Sequence, residues 1–156
     1  LFISPGPPRV VIVSHTLNYG IKKSVDEWIA EVETEVKKYT NRPIKIRKKG
    51  NKKSRGSRGF CDSLDNIYCV ISLHTMAVTE ALREGVPVIS LVPGVLKDYS
   101  VDNISKINDL YYPSDLERQK VFNCLSSIQW SSEELGNGTF LAPFMAYYGL
   151  NILPKS

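Results

Sequence analysis

Asp65-Asn-Ile-Tyr-Cys-Val-Ile-Ser-Leu-His-Thr-Met-Ala-Val-Thr-Glu-Ala-Leu-Arg-Glu-Gly-Val-Pro-Val-Ile-Ser-Leu-Val-Pro93 is the stretch whose patterning decides the fold. Ile67 to Ile71 is a continuous apolar run, the composition of a central parallel strand with both faces buried. From Thr75 to Glu84 the spacing turns helical, with Met76, Ala77, Ala81 and Leu82 as the apolar positions. Gly85 stands where a left-handed C-terminal cap belongs. Pro87 leads into a second run, Val88 to Val92, which ends at Pro93-Gly94. Strand, helix and strand in this order predict a crossover unit of a parallel sheet.

The flanking sequence extends the pattern. Val10 to Val13 is a β-branched run that reads as a buried strand. Ser24-Val-Asp-Glu27 is a capping box, in which hydroxyl and carboxylate each satisfy an exposed backbone N–H. Behind it Trp28, Val32, Val36 and Tyr39 share one helical face, with Ile29 beside them. That helix is predicted to stop near Thr40-Asn41, because Arg42 precedes a proline and avoids helical geometry. Pro43 to Arg47 alternates apolar and basic residues, as a strand with one buried face does. Ser114-Asp-Leu-Glu117 opens a helix through Leu125. Ser131-Ser-Glu-Glu134 starts another that Gly136 and Gly138 should break, and the apolar tail from Phe140 to Leu153 is expected to fold back on the core. The fold class is therefore α/β: a Rossmann-like three-layer sandwich with a mostly parallel central sheet, forming a single domain over residues 1–156.

Composition narrows the function. The chain has 156 residues, 42% hydrophobic and 23% charged, which suits one globular core. No apolar run approaches the roughly 20 residues that cross a bilayer. The start, Leu1 to Pro8, lacks the charged n-region of a signal peptide, and the absence of an initiator Met is expected if the chain is part of a longer one. Cys61, Cys69 and Cys124 form no metal-ligand spacing and cannot all pair, so reduced thiols in a cytoplasm are expected. The sequons Asn103-Ile-Ser105 and Asn137-Gly-Thr139 would matter only in a secreted protein. The net charge of +4 is uneven: eight of the 20 basic residues fall between Lys45 and Arg58 with no acid among them. The other 12 face 16 acids, which leaves the rest of the chain at −4.

Ligands of open α/β sheets bind outside the carboxyl ends of the strands. Ser14-His15-Thr16, Ser72-Leu-His74-Thr75 and Pro93-Gly94 are three such ends. At the second, a strand runs straight into a helix start, where backbone N–H groups and the Thr75 hydroxyl suit a phosphate. Thr75 as a plain cap and His74 as an ordinary loop residue fit the same pattern. Glu80 lies further along that helix, as a ribose-holding carboxylate or a solvated one. The glycine-rich phosphate signatures are absent, which disfavours a dinucleotide oxidoreductase or a P-loop nucleotidase. No cluster of acids and histidines suggests a metal, and no cofactor is expected.

The stretch from Cys69 to Ile89, with its strand, hydroxyl-bearing helix start, Glu-Ala-Leu, Gly and Pro-Val-Ile, resembles the C-terminal nucleotide-binding half of GT-B glycosyltransferases. Arg42-Pro-Ile-Lys-Ile-Arg-Lys-Lys49, Tyr112-Pro113, Gln129-Trp130-Ser-Ser-Glu-Glu134 and Gly138-Thr139 resemble a phage and bacterial branch of such proteins. The resemblance implies a nucleotide-sugar donor with His74, Thr75 and Met76 facing its diphosphate, Glu80 on its ribose, and Arg47 and Lys49 supplying positive charge. Pro93, at the third strand end, joins that set. Members often carry a second Glu eight residues before the ribose-binding one; here that position is Ser72. GT-B enzymes close two Rossmann-like domains around their substrates. Either an acceptor-binding half lies on a longer parent chain, or this domain does not catalyse transfer by itself. His15 is the one other imidazole that could act as base, beside a plainer role as a loop residue.

Lys48 to Gly59, rich in Gly, Ser, Lys and Arg and without periodicity, reads in its plainest form as a mobile, solvated loop. Lys48, Lys52, Lys53, Arg55 and Arg58 could instead contact nucleic-acid phosphates, which makes a non-catalytic nucleic-acid-binding module the alternative function. A transferase acting on nucleic-acid bases would join the two.

Overall fold

The computed structural model describes residues 7–14, 23–48, 66–73, 76–92, 96–127 and 129–149. His15, Lys49, Lys52, Lys53, Arg55, Arg58, His74, Thr75 and Pro93 lie outside the described residues, as does the basic stretch from 49 to 58. The chain divides into two compact units, Leu1–Arg118 and Gln119–Ser156.

The first unit is built on a parallel sheet. Strands β1 (Arg9–Val13), β2 (Ile44–Arg47), β3 (Ile67–Ser72) and β4 (Val88–Ser90) lie in the order β2-β1-β3-β4, every pair parallel. Helix α1 (Val25–Lys37) connects β1 to β2, and α2 (Met76–Arg83) connects β3 to β4. The chain is thus an α/β, Rossmann-like sandwich.

Register shows why the middles of the two central strands are continuous apolar runs. Ile12, Ile71 and Ile89 are aligned and fully buried, and they join Trp28, Ile29, Val32 and Val36 of α1 in one core cluster. Alternation sends Val11, Val70 and Val88 to the opposite face, where they are 2%, 0% and 1% exposed. On β3 and β4 lies α2, whose Val78, Ala81 and Leu82 are buried apart from the α1 cluster. Each of the buried valines, leucines and isoleucines contributes roughly 1.5–3 kcal/mol when removed from water.

Local signals end the elements as expected. Ser24 Oγ accepts from the Glu27 N–H at 3.2 Å while the Ser24 N–H donates to Glu27 at 2.7 Å. Gly85 adopts φ +75°, and the Gly85 and Val86 amides donate back to Leu82 and Ala81. That is a left-handed helix cap, which a residue with a Cβ adopts only with strain. At the amino end of the sheet the Arg42 guanidinium lies 3.7 Å over the Tyr68 ring, and the Tyr68 hydroxyl donates to the Ile107 carbonyl at 3.0 Å.

Several expectations are corrected. Tyr39 follows the end of α1 and is 38% exposed, so it is outside the buried face. Met76 opens α2 and is 64% exposed, because a helix-initial side chain leans away from the body of its helix; Val78 takes the buried place. β4 stops at Ser90, two residues short of the expected run, and on its far side Ile89 forms a one-residue parallel bridge with Val101, to whose carbonyl the Ser90 amide donates. β2 alternates as expected, but only Ile44 packs on the core; Ile46, aligned with Ile12, is 40% exposed.

The second unit holds the end of α3 (Asp115–Ser127), α4 (Ser132–Asn137) and α5 (Leu141–Tyr148). The Ser131–Glu134 capping box is formed, but Gly136 lies inside α4 and Gly138, at φ +76°, ends it. Trp130 meets Phe140 at a tilt and Phe140 meets Phe144 edge-on, with ring centroids 6.2 and 6.3 Å apart. Among the described residues, no helix is long and apolar enough to cross a membrane.

Stability should follow burial along the register. Ile71→Ala is expected to lose about 2–5 kcal/mol in chemical denaturation, and Ile46→Ala no more than about 1 kcal/mol. Equal losses would contradict the register.

Candidate functional site

From β1 the chain passes to β2 on one side of the sheet, yet β3 lies on the other side of β1. Connections therefore diverge at the β1/β3 boundary. Such a switch point, outside the carboxyl ends of the strands, is where open α/β sheets hold ligands.

Hydroxyl-bearing residues end β3 and β4 there, and one directly follows β1. Ser72 is fully buried, is aligned with Val13 on one side and Ser90 on the other, and its Oγ donates to the Val13 carbonyl at 3.4 Å. Ser14 is 3% exposed, and its N–H donates to the Arg47 carbonyl at 2.9 Å. The Leu91 N–H donates to the Ser72 carbonyl at 2.9 Å. Ser14, Ser72 and Ser90 thus line the edge in sequence across three strands. In the sequence alone Ser14 and Ser72 stand only as strand ends, and Ser72 as a departure from a family pattern. The signal that would have found them is a serine closing each of two buried apolar runs.

Two helices begin on this side, and their first turns differ in charge. α1 carries Asp26 and Glu27, and the Ser24 amide and hydroxyl hold the Glu27 carboxyl below the usual range. Its N-terminus is served by its own acid. α2, reached from β3 through three residues, has no acid in its first turn. The positive end of its dipole is unmatched by any carboxylate of its own.

Arg47, Lys48, Met76 and Glu80 are the sequence-chosen residues that the structure places. Arg47 closes β2, half-buried and aligned with Val13. Met76 opens α2, and Glu80 lies half-buried one turn along. All three belong to the carboxyl edge, but β2 and β3 are two strand spacings apart, about 10 Å. Arg47 and α2 are therefore brought to one edge without being neighbours. Lys48 pairs with Asp26 at 2.6 Å. That pair balances one of the charges expected to meet nucleic acid.

Other reactive groups are placed elsewhere. Cys69 is within the core; burial pushes its thiol up to about 12, against a smaller opposing pull from Arg42. Such a thiol carries almost no thiolate at neutral pH. Among the described residues, no group of His, Cys, Asp and Glu could hold a metal ion.

No protein-family model, curated protein or solved structure matches this chain significantly.

Thiol labelling tests the placement of the cysteines. With iodoacetamide near pH 7.5 and peptide mapping, exposed Cys124 should be alkylated in the native protein. Buried Cys69 should react only after denaturation; comparable native rates would contradict its burial.

Proposed function

We propose that the carboxyl edge of this sheet binds the diphosphate of a nucleotide sugar, and that the chain is the donor-binding part of a glycosyltransferase. The observation that supports it most is the β1/β3 switch point, with α2 starting just beyond β3 and carrying no acid in its first turn. A diphosphate supplies the negative charge which that helix end favours. The resemblance of Cys69 to Ile89 to the GT-B donor half names the ligand class.

In this proposal His74, Thr75 and Met76 face the diphosphate and Glu80 accepts the two ribose hydroxyls. Arg47 and Lys49 add positive charge, and Pro93 borders the site. Sugar transfer leaves a nucleoside diphosphate whose charge grows as the glycosidic bond breaks, and helix N-termini and cations stabilise that growth electrostatically. The acceptor hydroxyl must lose a proton to a base. His15, following β1, is the candidate on this chain, and the acceptor site would belong to a second Rossmann-like domain.

Titration calorimetry with uridine, guanosine and cytidine diphosphates tests the proposal. At least one should bind, and Glu80→Ala should weaken it about tenfold or more, since a hydrogen bond to a charged group contributes about 1.5–3 kcal/mol. No binding by any of them at millimolar concentration would overturn the proposal.

A further inference from the structure

Asn137-Gly138 is the only Asn-Gly pair in the sequence, and the donor site makes no use of it. Asn137 is the last residue of α4, exposed, and Gly138 follows in the left-handed conformation with φ 76° and ψ 8°. The Asn137 side-chain oxygen accepts two hydrogen bonds, from the Thr139 N–H at 2.9 Å and from the Thr139 hydroxyl at 2.6 Å. Two donors on one amide oxygen draw electrons from its carbon. They are also placed to hold the negative charge that oxygen gains when a nucleophile adds, as an oxyanion hole does.

We propose that Asn137–Gly138 is a self-modification site, at which Thr139 promotes cyclisation of the asparagine. The Gly138 backbone nitrogen forms a bond to Asn137 Cγ and gives up its proton to solvent. The Cγ–Nδ2 bond breaks, and ammonia leaves with a proton taken from water. Hydrolysis of the resulting succinimide at either carbonyl yields aspartate or isoaspartate. Glycine is the residue that permits this approach, because no Cβ crowds its nitrogen. Helical backbone must open for the attack, and α4 has six residues, well short of the roughly 12–15 at which an isolated helix holds in water. The product places a new carboxylate at the C-terminal end of α4, where the helix dipole disfavours negative charge. As isoaspartate it also lengthens the backbone at the junction with α5.

Asn103 is the internal control. Its side-chain oxygen also accepts from the amide two residues on, Ser105, at 2.9 Å, but Ile104 follows it and its β-branched side chain obstructs the attack. The intact chain is incubated at mildly alkaline pH and 37 °C, then followed by peptide mapping that separates aspartate from isoaspartate; hydroxylamine cleavage after Asn137 traps the succinimide. Asn137 should convert many times faster than Asn103. Thr139→Val, at an exposed position, should slow it several-fold, and Thr139→Ser should restore the rate. Conversion in Thr139→Val as fast as in the parent, or at Asn137 no faster than at Asn103, overturns the proposal.

Discussion

Val10 to Val13 of β1 and Cys69 to Ser72 of β3 form the central strand pair, and water is excluded from both of their faces. A parallel pair cannot be joined by a tight turn, so each strand must hand the chain to a crossover that returns along the sheet. Covering both faces is what the crossovers do. α1 lies over β1 and, together with Val101, Ile104 and Ile107, encloses Ile12, Ile71 and Ile89 in one cluster, while α2 lies over β3 and β4. The remaining described features of the first unit follow from this demand. Capping residues set the helix ends, the Gly85 cap turns the chain back toward β4, and Arg42 on Tyr68 closes the amino end.

The same demand shapes the carboxyl edge. A strand with both faces buried cannot end in a charge without paying for desolvation, but a hydroxyl can end it while satisfying a neighbouring carbonyl. Ser72, donating to Val13, is such an ending. Charge is brought from outside the central pair, by Arg47 at the end of β2 and by the helix starts. Because α1 meets its own Glu27 and Lys48 meets Asp26, the α2 start is the place on this edge whose dipole has no acid of its own to offset it. The diphosphate proposal rests on that asymmetry, combined with the switch point.

Much of the fold was legible in residue patterns. β-branched runs marked β1, β3 and the start of β4, since burial on both faces requires apolar residues without alternation. Ser24–Glu27, Ser131–Glu134 and Gly85 marked helix ends because their chemistry is local, complete within a few residues. The misses come from tertiary position. Nothing local tells that Ile46 stays exposed while Ile44 beside it is covered. Nor does it tell that β4 ends at Ser90 or that the Ser90 amide pairs with distant Val101. Gly136 reads as a breaker, yet it sits inside α4, where the capping box carries the helix past a single glycine. In the site, motif resemblance drew attention to Met76 and Glu80. The serine row as such has no mark in the sequence, because it exists only when three strands lie side by side.

Amide NMR during titration with uridine or guanosine diphosphate tests most directly whether the β1/β3 carboxyl edge is the ligand site. Saturable shifts should centre on Ser14, Ser72, Leu73 and Ala77, with Arg47 at the margin. Saturable shifts confined to Arg9, Asn66 and Val86 at the opposite edge, or to α4 and α5, would contradict the account.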